Sequence, residues 1–294
     1  MVRGLLLVDK PSGMSSHDVV ARLRRVYALK RIGHAGTLDP EATGLLVVAL
    51  GNVTRLLDYF QAKTKRYSGE VVFGVETDSY DSSGVVIATM EVRSLDLQRL
   101  GKALASMKGE LSQVPPAVSA LKVKGKKLYE YHRNSQQVEI KPRNVWIDSI
   151  SYSPGDEPNV IKIEVVCGPG TYIRSIAHDL GVAMGTGAHL RNLRRLESGK
   201  FSVDEAHELG QVGSEAIMPP ASAFRDFKVV GVGGAVALRA RRGLSIVLEG
   251  EHADQLILFD ADLGPFTDWD QLIGLFNRES DDLFRAGVVL PAIN

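Results

Sequence analysis

The residues from Gly44 to Gly51, GLLVVALG, form an unbroken apolar run with the length of a buried strand, too short for an ordinary helix. Three further segments have the length and composition of strands: GLLLV at 4–8, VWIDSISY at 145–152 and VIKIEVVC at 160–167. Segments with helical spacing of apolar residues lie between them. The chain is therefore expected to fold into the α+β class, around a mixed sheet.

Two segments space their apolar residues as an amphipathic helix does. In HDVVARLRRVYAL, residues 17–29, the apolar side chains share one face, and Arg22, Arg24 and Arg25 lie mostly off it. We expect Ser16 to cap this helix. The second segment, SLDLQRLGKALASMKG at 94–109, repeats leucine at helical spacing and ends at a glycine.

Charge is unevenly distributed along a chain that is balanced in total, with 35 Lys and Arg against 35 Asp and Glu. The last fifty residues hold ten acidic and two basic side chains, which leaves residues 1–244 with an excess of eight basic charges. Such an excess suits a polyanionic partner. Paired prolines in IMPPASAFRDF, residues 217–227, precede the change, so we expect one domain over 1–222 and a small β-rich domain over 223–294. In the second domain, AVALRARRG at 235–243 is expected to be a strand.

The single cysteine, Cys167, excludes an internal disulfide and a cysteine-rich zinc site, and we expect it to be a buried small hydrophobe. The first apolar run has only four residues before Asp9, too few for the ~7–15 of a signal peptide. No run approaches the ~20 apolar residues of a membrane span. We expect a cytoplasmic protein with no membrane partner.

Common catalytic templates do not occur in the sequence. There is no G-x-S-x-G elbow of a serine hydrolase, no phosphate-binding G-x-x-x-x-G-K-[ST] and no H-E-x-x-H. The acidic turn DSYDSSG at 78–84 lacks the downstream glutamate and flanking helices of a calcium loop. These absences leave carboxylates, tyrosines and basic groups as the candidates for chemistry.

Asp39 lies in a loop of small residues, GHAGTLDPEATG at 33–44, directly before the apolar run. Pro40 disfavours a helical backbone at Asp39. Gly36 and Gly44 permit tight turns or the close approach of a ligand. One interpretation is a carboxylate poised for chemistry at a strand end; the other is an Asx turn or helix cap in which Asp39 accepts a backbone N–H.

Three other segments have the chemistry of an RNA site, each with a plainer alternative. Tyr67 in KTKRYSGEV suits base stacking beside phosphates, or is a strand tyrosine among surface lysines. Arg174 in GPGTYIRSIAHDLG suits a bidentate pair with a carboxylate or phosphate, or is a surface arginine at a helix start. The basic segments LKVKGKKLYEYHR at 121–133 and LRNLRRLESGK at 190–200 suit an RNA backbone, or form a solvated surface.

Taken in order, these segments resemble the motifs of the tRNA pseudouridine synthase B (TruB-type) family. The resemblance covers the chain from Gly4 to about Pro220 and rests on GLLLVDKPSGMSSHDVV, RIGHAGTLDPEATGLLVV, KRYSGEVVFGVETDSYDSSG, VPPAVSALKVKGKKLYEYHR, GTYIRSIAHDLG and GAHLRNLRRLESGKF. It implies a pseudouridine synthase fold with a mixed, mainly antiparallel central sheet and an RNA-binding cleft. A thumb-like RNA-binding insertion would cover about residues 113–140, and residues 223–294 would form a PUA-like domain whose RARR at 239–242 is the expected RNA contact.

The implied activity is the isomerisation of uridine to pseudouridine in the T-loop of tRNA, at position 55. The enzyme would act alone, as a monomer, without a cofactor, metal or guide RNA. The nucleotide would be extruded into a pocket before the reaction. The resemblance leaves three steps open for the aspartate: attack on the sugar C1′, attack on uracil C6, or removal of a sugar proton.

Carried over residue by residue, the resemblance makes Asp39 the essential aspartate, Tyr67 the residue that stacks on the extruded base, and Arg174 the partner of Asp39. His34 would hold a T-loop base out of its stack, Tyr172 would lie close by, and Leu193 would line the wall. The remaining substrate-binding positions would be Gly36, Thr37, Lys65, Lys122, Lys124, Lys126 and Lys127.

Three rival functions are weaker. A tRNA chaperone or other RNA-binding module would not need the aspartate. A guide-RNA-dependent relative would share the motif, but this chain is short and has no long basic tail. An aspartate-based glycosidase normally needs two carboxylates, and no second one is placed beside Asp39 in the sequence.

Overall fold

The computed structural model describes residues 2–61, 64–119, 121–123, 125–128, 131, 134, 136 and 138–291. The chain divides into two compact units. Unit 1 comprises Met1–Pro40, Gly44–Gln61 and Lys200–Asn294, and unit 2 comprises Glu41–Thr43 and Ala62–Gly199. The boundary expected near residue 223 stays a prediction. No helix among the described residues is both long and apolar enough to cross a membrane.

Twenty strands and five α-helices are described. The strands are β1 (Gly4–Lys10), β2 (Ile32–Ala35), β3 (Thr43–Leu50), β4 (Lys65–Phe73), β5 (Val75–Thr77), β6 (Val86–Thr89), β7 (Gly109–Gln113), β8 (Lys122–Val123), β9 (Lys126–Lys127), β10 (Arg143–Pro154), β11 (Val160–Cys167), β12 (Ala188–Ser198), β13 (Phe201–Ser202), β14 (His207–Glu208), β15 (Ile217–Met218), β16 (Lys228–Val232), β17 (Ile246–Val247), β18 (Gln255–Asp260), β19 (Leu272–Arg278) and β20 (Leu283–Val289). The helices are α1 (Ser16–Val26), α2 (Leu97–Ser106), α3 (Ile173–Met184), α4 (Pro220–Ala223) and α5 (Gly234–Arg241). Short 3₁₀ helices cover Gly51–Leu56, Val203–Glu205, Ser214–Ala216, Ala261–Leu263 and Trp269–Gln271.

The apolar run is strand β3, as predicted. Within unit 1 it pairs antiparallel with β1 and with β2. Its side chains alternate between two hydrophobic cores, because successive residues of a strand point to opposite faces. Leu45, Val47 and Ala49 enter one core, while their neighbours at 46, 48 and 50 enter the other.

Helix α1 begins with a capping box in which Ser15 is the N-cap residue. The Ser15 hydroxyl accepts from the Asp18 N–H, and the Asp18 carboxylate accepts from the Ser15 N–H. The prediction that Ser16 caps this helix was therefore wrong by one residue. Ser16 is fully buried, and its hydroxyl bonds the backbone of Leu38 instead of capping the helix. Val19, Val20 and Leu23 lie in the second of the two cores, which fixes the apolar face of the helix inward.

The C-terminal part of unit 1 is a five-stranded sheet in the order β16-β18-β19-β20-β17, with one parallel pair, β16 and β18. The segment AVALRARRG, predicted as a strand, forms helix α5, because alanine, leucine and arginine are strong helix formers. Phe224, Ile257 and Leu275 share their core with β1 and β3. The C-terminal sheet and the first strands are therefore packed together within unit 1.

Unit 2 contains an antiparallel sheet in the order β12-β4-β11-β10-β7. Helix α3 packs against β12, and α2 packs against α3. Two small hairpins, β5–β6 and β8–β9, complete the described strands of this unit. Parallel pairing is limited to a minority of strands, so the expected α+β class with a mixed, mainly antiparallel sheet is confirmed.

Candidate active site

Asp39 lies in the loop between β2 and β3, and both of its neighbours are held through their backbones. The Ser16 hydroxyl accepts from the Leu38 N–H at 2.9 Å and donates to the Leu38 carbonyl at 3.1 Å. The Pro40 carbonyl accepts from the Gly13 N–H at 3.0 Å and from Lys10 Nζ at 2.9 Å. Asp39 is half-buried. The loop therefore presents this carboxylate from a backbone that is fixed on both sides.

Lys10 is the buried cation that supports this loop. Its side chain is fully buried, and Nζ donates to the carbonyls of Pro11 at 2.8 Å, Met14 at 2.6 Å and Pro40 at 2.9 Å. A buried ammonium needs such partners because desolvation without them is costly. Sequence reasoning missed this role, although a lysine at the end of an apolar strand and before a proline is a detectable signal.

The remaining candidates of the β2–β3 segment lie beside Asp39 in the chain. His34 is a half-buried residue of β2, and its ring meets that of His17 edge to face at 5.6 Å. Gly36 has a φ of 92°, which favours glycine, and Thr37 is exposed. His17 in the first turn of α1 was not predicted, because nothing in its local sequence marks it.

Tyr67 lies in β4 of unit 2, between Val165 of β11 and Arg195 of β12. Its side chain is buried, with 9% exposed. The pairing of β4 with β12 shifts register twice, once on each side of Tyr67. Bulges of this kind bend a strand and redirect its side chains, and they are frequent beside active sites.

Leu193 lies in the first of these bulges, next to Asn192, whose φ of 55° is left-handed. The Leu193 carbonyl accepts from the hydroxyl of Thr43 at 3.5 Å. Thr43 is the fourth residue after Asp39 in the chain. The bulge and the first residue of β3 are thus joined by this hydrogen bond within unit 2.

Lys65 heads the same strand β4, opposite Cys167 and Ser198. Burial, and then the charge of Arg195, lower the pKa of Lys65. Burial raises the pKa of the Cys167 thiol to about 11, which fits the prediction of a buried small hydrophobe. A lysine with a depressed pKa is more easily neutralised than a solvated one.

Arg174 lies in the first turn of α3 and is 3% exposed. Its guanidinium pairs with Asp81 at 3.2 Å and donates to the carbonyls of Ser79 at 2.9 Å and Val118 at 3.0 Å. Asp81 was not predicted as a partner, although its turn TDSYDSSG is part of the recognised motif. The pairing of Arg174 with Asp39 stays a prediction.

Tyr172 is the N-cap residue of α3, and its backbone is held by Gln113 at the end of β7. The Gln113 amide donates to the Tyr172 carbonyl at 3.0 Å and accepts from its N–H at 2.8 Å. Gln113 is fully buried, and Ser175 adds a bond to Val114 at 2.8 Å. The start of α3 is thereby tied to the segment from which the predicted thumb departs.

The predicted lysine-rich loop is described only in part. Lys122 lies in β8, and Lys126 and Lys127 lie in β9; Lys126 is exposed. Lys124, and the side chains of Lys122 and Lys127, lie outside the described residues. The other basic segment is strand β12, where Arg191 pairs with Glu70 and Glu157, both at 2.6 Å.

Within the described part of the chain, no three His, Cys, Asp or Glu side chains are grouped as a metal site would require. Unit 1 therefore supplies a carboxylate on a fixed backbone, and unit 2 supplies a buried tyrosine and a buried arginine–aspartate pair. Aromatic side chains can stack on bases, and cationic side chains can bind phosphates.

Two family models match consecutive parts of the chain. Residues 24–173 match the N-terminal domain of the TruB family pseudouridylate synthases, and residues 174–219 match the tRNA pseudouridylate synthase B C-terminal domain. Curated relatives include tRNA pseudouridine synthase B of Symbiobacterium thermophilum, which is 43% identical over 83% of this chain and 83% of its own length. The enzyme of the same name from Syntrophotalea carbinolica is 44% identical over 85% of this chain and 79% of its own length.

Solved structures show the same fold at low identity. A Cbf5–Nop10–Gar1 complex contains a chain with a TM-score of 0.70 and 23% identity, over 98% of this chain and 85% of that one. A chain from an H/ACA ribonucleoprotein bound to a substrate RNA gives a TM-score of 0.69 at 20% identity, over 98% of this chain and 85% of that one. The two family models together span residues 24–219, and the relatives above exceed 40% identity over more than four fifths of the chain. The chain belongs to the TruB family of pseudouridylate synthases.

Proposed function

We propose that the chain isomerises uridine to pseudouridine in the T-loop of tRNA, at position 55, with Asp39 as the essential carboxylate. As a family member it is an isomerase that acts on uridine in tRNA. The enzyme works alone, as a monomer, without a guide RNA or cofactor. In the net reaction the C1′–N1 bond breaks, the uracil ring turns and a C1′–C5 bond forms. C5 loses its proton and N1 gains one, so no oxidant or group donor is consumed.

The backbone of the Asp39 loop is the observation that carries this proposal. Hydrogen bonds hold the residue before Asp39 and the residue after it, to Ser16 on one side and to Lys10 and Gly13 on the other. A catalytic group must be held close to its productive position, because a displacement of about 1 Å can cost 10²-fold in rate. A carboxylate that served only as a turn cap would not need support from a buried lysine.

Tyr67 and Arg174 supply the other proposed parts of the site. Extruding a nucleotide from a folded loop costs a few kcal/mol, which stacking on Tyr67 and contacts to phosphates would offset. A nearby guanidinium favours the ionised form of a carboxylate, so Arg174 would keep Asp39 charged as the pocket closes. His34, Tyr172 and Leu193 are proposed to hold the RNA loop around the extruded base.

The test is a single substitution, Asp39→Asn, which removes the charge and keeps the size. Unmodified tRNA transcript is incubated with the protein, and pseudouridine is mapped by chemical probing. We expect no pseudouridine from the variant and nearly unchanged tRNA binding, because the carboxylate acts on the reacting nucleotide alone. Asp58→Asn, at an exposed position of unit 1, is the matched control and should keep full activity. Turnover by the Asp39 variant, or modification outside the T-loop, would contradict the proposal.

A further inference from the structure

Helix α1 and the turn after it carry a basic surface that the proposed chemistry does not use. We define the α1 basic surface as Arg22, Arg24, Arg25, Lys30 and Arg31, all of which are exposed. No acidic residue occurs between Asp18 and Asp39 in the sequence. Five positive charges thus follow one another in ten residues with no negative charge among them.

None of these five side chains forms an ion pair with any other residue that the structure describes. Some exposed or half-exposed arginines elsewhere do have carboxylate partners: Arg66 pairs with Glu164 and Glu197, and Arg225 pairs with Glu205. Glu215 is near enough to Tyr27 to add to the effect of burial in raising the pKa of that phenol, yet it pairs with none of the five. The positive charge of this surface is therefore uncompensated.

Two of the five side chains are also held by hydrogen bonds. Arg24 donates to the Ile32 carbonyl at 3.4 Å, and Arg31 donates to the Thr54 hydroxyl at 2.7 Å. Each of these bonds uses one of the five donors of a guanidinium, so the remaining donors stay available. The capping box and the buried apolar face fix α1 itself.

The chemistry of the surface decides between partner classes. Val19, Val20 and Leu23 of α1 face inward, so the helix has no apolar face to insert into a membrane. A protein interface normally has an apolar or aromatic centre, and the surface offers only Val26, which is 48% exposed. Clustered arginine and lysine without an apolar centre is typical of phosphate-backbone contacts.

The α1 basic surface begins close to the Asp39 loop. Ser16, the first residue of α1, bonds the backbone of Leu38 through its hydroxyl. Arg22 and Arg25 lie six and nine residues along the helix, about 9 and 14 Å from Ser16 at 1.5 Å per residue. An RNA strand whose reacting nucleotide is at Asp39 would reach this surface within a few nucleotides.

We infer that the α1 basic surface binds the sugar-phosphate backbone of the tRNA substrate and contributes affinity without taking part in the chemical step. This inference rests on the proposed function, because it assumes that tRNA is the molecule bound at Asp39. It adds a contact outside the thumb-like insertion and the C-terminal domain.

The test is the triple variant Arg22→Gln, Arg25→Gln and Lys30→Gln, which leaves Arg24 and Arg31 with their local bonds. Glutamine is nearly as good a helix former as arginine and lysine, so α1 should remain folded. The control is Arg99→Gln, Lys102→Gln and Lys108→Gln on or next to α2, which removes the same charge from exposed positions. Circular dichroism checks that both variants are folded.

We measure tRNA affinity as a function of salt, and the single-turnover rate of pseudouridine formation at saturating enzyme. The α1 variant should bind tRNA about tenfold more weakly near 0.1 M salt, and the slope of log affinity against log salt should fall by about two to three. Its saturated rate should match that of the wild type. The α2 control should keep both the affinity and the slope.

An unchanged slope in the α1 variant, or an equal loss in the α2 control, would overturn the inference. So would a loss of binding to phosphatidylserine vesicles with tRNA binding intact, because the surface would then bind membranes. If the wild type makes no pseudouridine but the α1 variant still binds tRNA more weakly and with a smaller salt slope, the proposed function fails and the inference about this surface stands. If the wild type modifies tRNA and the variant binds like it, the surface alone fails.

Discussion

At the scale of single residues, Lys10 shows how a buried charge can support the loop beside it. Its ammonium donates to three backbone carbonyls, and one of them belongs to Pro40, the residue directly after Asp39. Charge-assisted hydrogen bonds are about twice as strong as neutral ones, so this lysine contributes to stability as well as to geometry. Its loss would remove one donor from each of these part-buried carbonyls.

We therefore expect Lys10→Met, which keeps the length and removes the charge, to lower the free energy of unfolding by about 2–4 kcal/mol. The single-turnover rate should fall as well, because the carbonyl of Pro40 loses a donor. Urea denaturation and the rate at saturating enzyme measure the two effects. Lys102→Met, at an exposed position of α2, should leave both values unchanged. A Lys10 variant with wild-type stability would show that the three bonds are not needed.

Asp39 could be singled out as a candidate from sequence because its surroundings are local: small residues, a following proline and an apolar strand. Its catalytic role stays a prediction. The partners of Arg174 could not. Asp81, Ser79 and Val118 are 93, 95 and 56 residues away, and only the fold brings them to one guanidinium. Gln113 is equally remote from Tyr172, which it holds from 59 positions away. Residues whose roles depend on long-range contacts carry no local signal.

At the scale of elements, the sequence predicted α1 from the helical spacing of its apolar residues. It predicted β3, β10 and β11 from apolar runs of strand length. It misassigned the segment at 235–243 as a strand because Ala and Leu fit both periodicities over so few residues. The cap of α1 was misplaced because two adjacent serines compete for it. Tertiary contact decided between them: Ser16 is taken by Leu38, which leaves Ser15 to cap the helix.

The capping box of α1 makes a prediction about pH. Two hydrogen bonds lower the pKa of Asp18 below its ordinary value of 3.8: the larger effect comes from the Ser15 hydroxyl and the smaller from the Ser15 N–H. A group whose pKa is depressed by folding stabilises the protein above its unfolded pKa, and that contribution is lost as pH falls through the folded value.

Asp18→Asn should therefore lower the melting temperature at pH 7, and the difference from wild type should shrink below about pH 4. Thermal melts followed by circular dichroism across pH 2–7 measure it. Asp58→Asn, at an exposed site outside any helix cap, is the control and should show no such pH-dependent difference. A constant difference from pH 7 to pH 2 would contradict a role for the carboxylate charge.

At the scale of the whole molecule, the C-terminal sheet packs against the first strands of unit 1. Phe224 is 1% exposed, and together with Trp269 and Leu272 it shares a core with the first strands of unit 1. Phe224 also stacks on Phe60 at 5.5 Å. Removing the C-terminal residues would uncover apolar side chains of β1 and β3 in this core.

Deletion of residues 223–294 should therefore give a protein that aggregates or melts without cooperativity. The point variant Phe224→Ala should lower the free energy of unfolding by about 3–5 kcal/mol, because it opens a cavity in this core. Leu263→Ala, at a position 61% exposed, should cost far less. Calorimetry measures all three. A truncated chain that melts cooperatively near the wild-type temperature would show that residues 1–222 fold alone, as the predicted boundary implies.

Strand β3 has apolar side chains on both faces, and this has a consequence for its alignment. A strand with one polar face is aligned by its pattern, since a slip of one residue would bury polar groups. In β3 a slip would exchange one set of apolar side chains for another, so polarity alone does not oppose it. The bonds from Ser16, Lys10 and Gly13 to the preceding loop do oppose it. The contacts that hold Asp39 in place thus also keep the central strand in register.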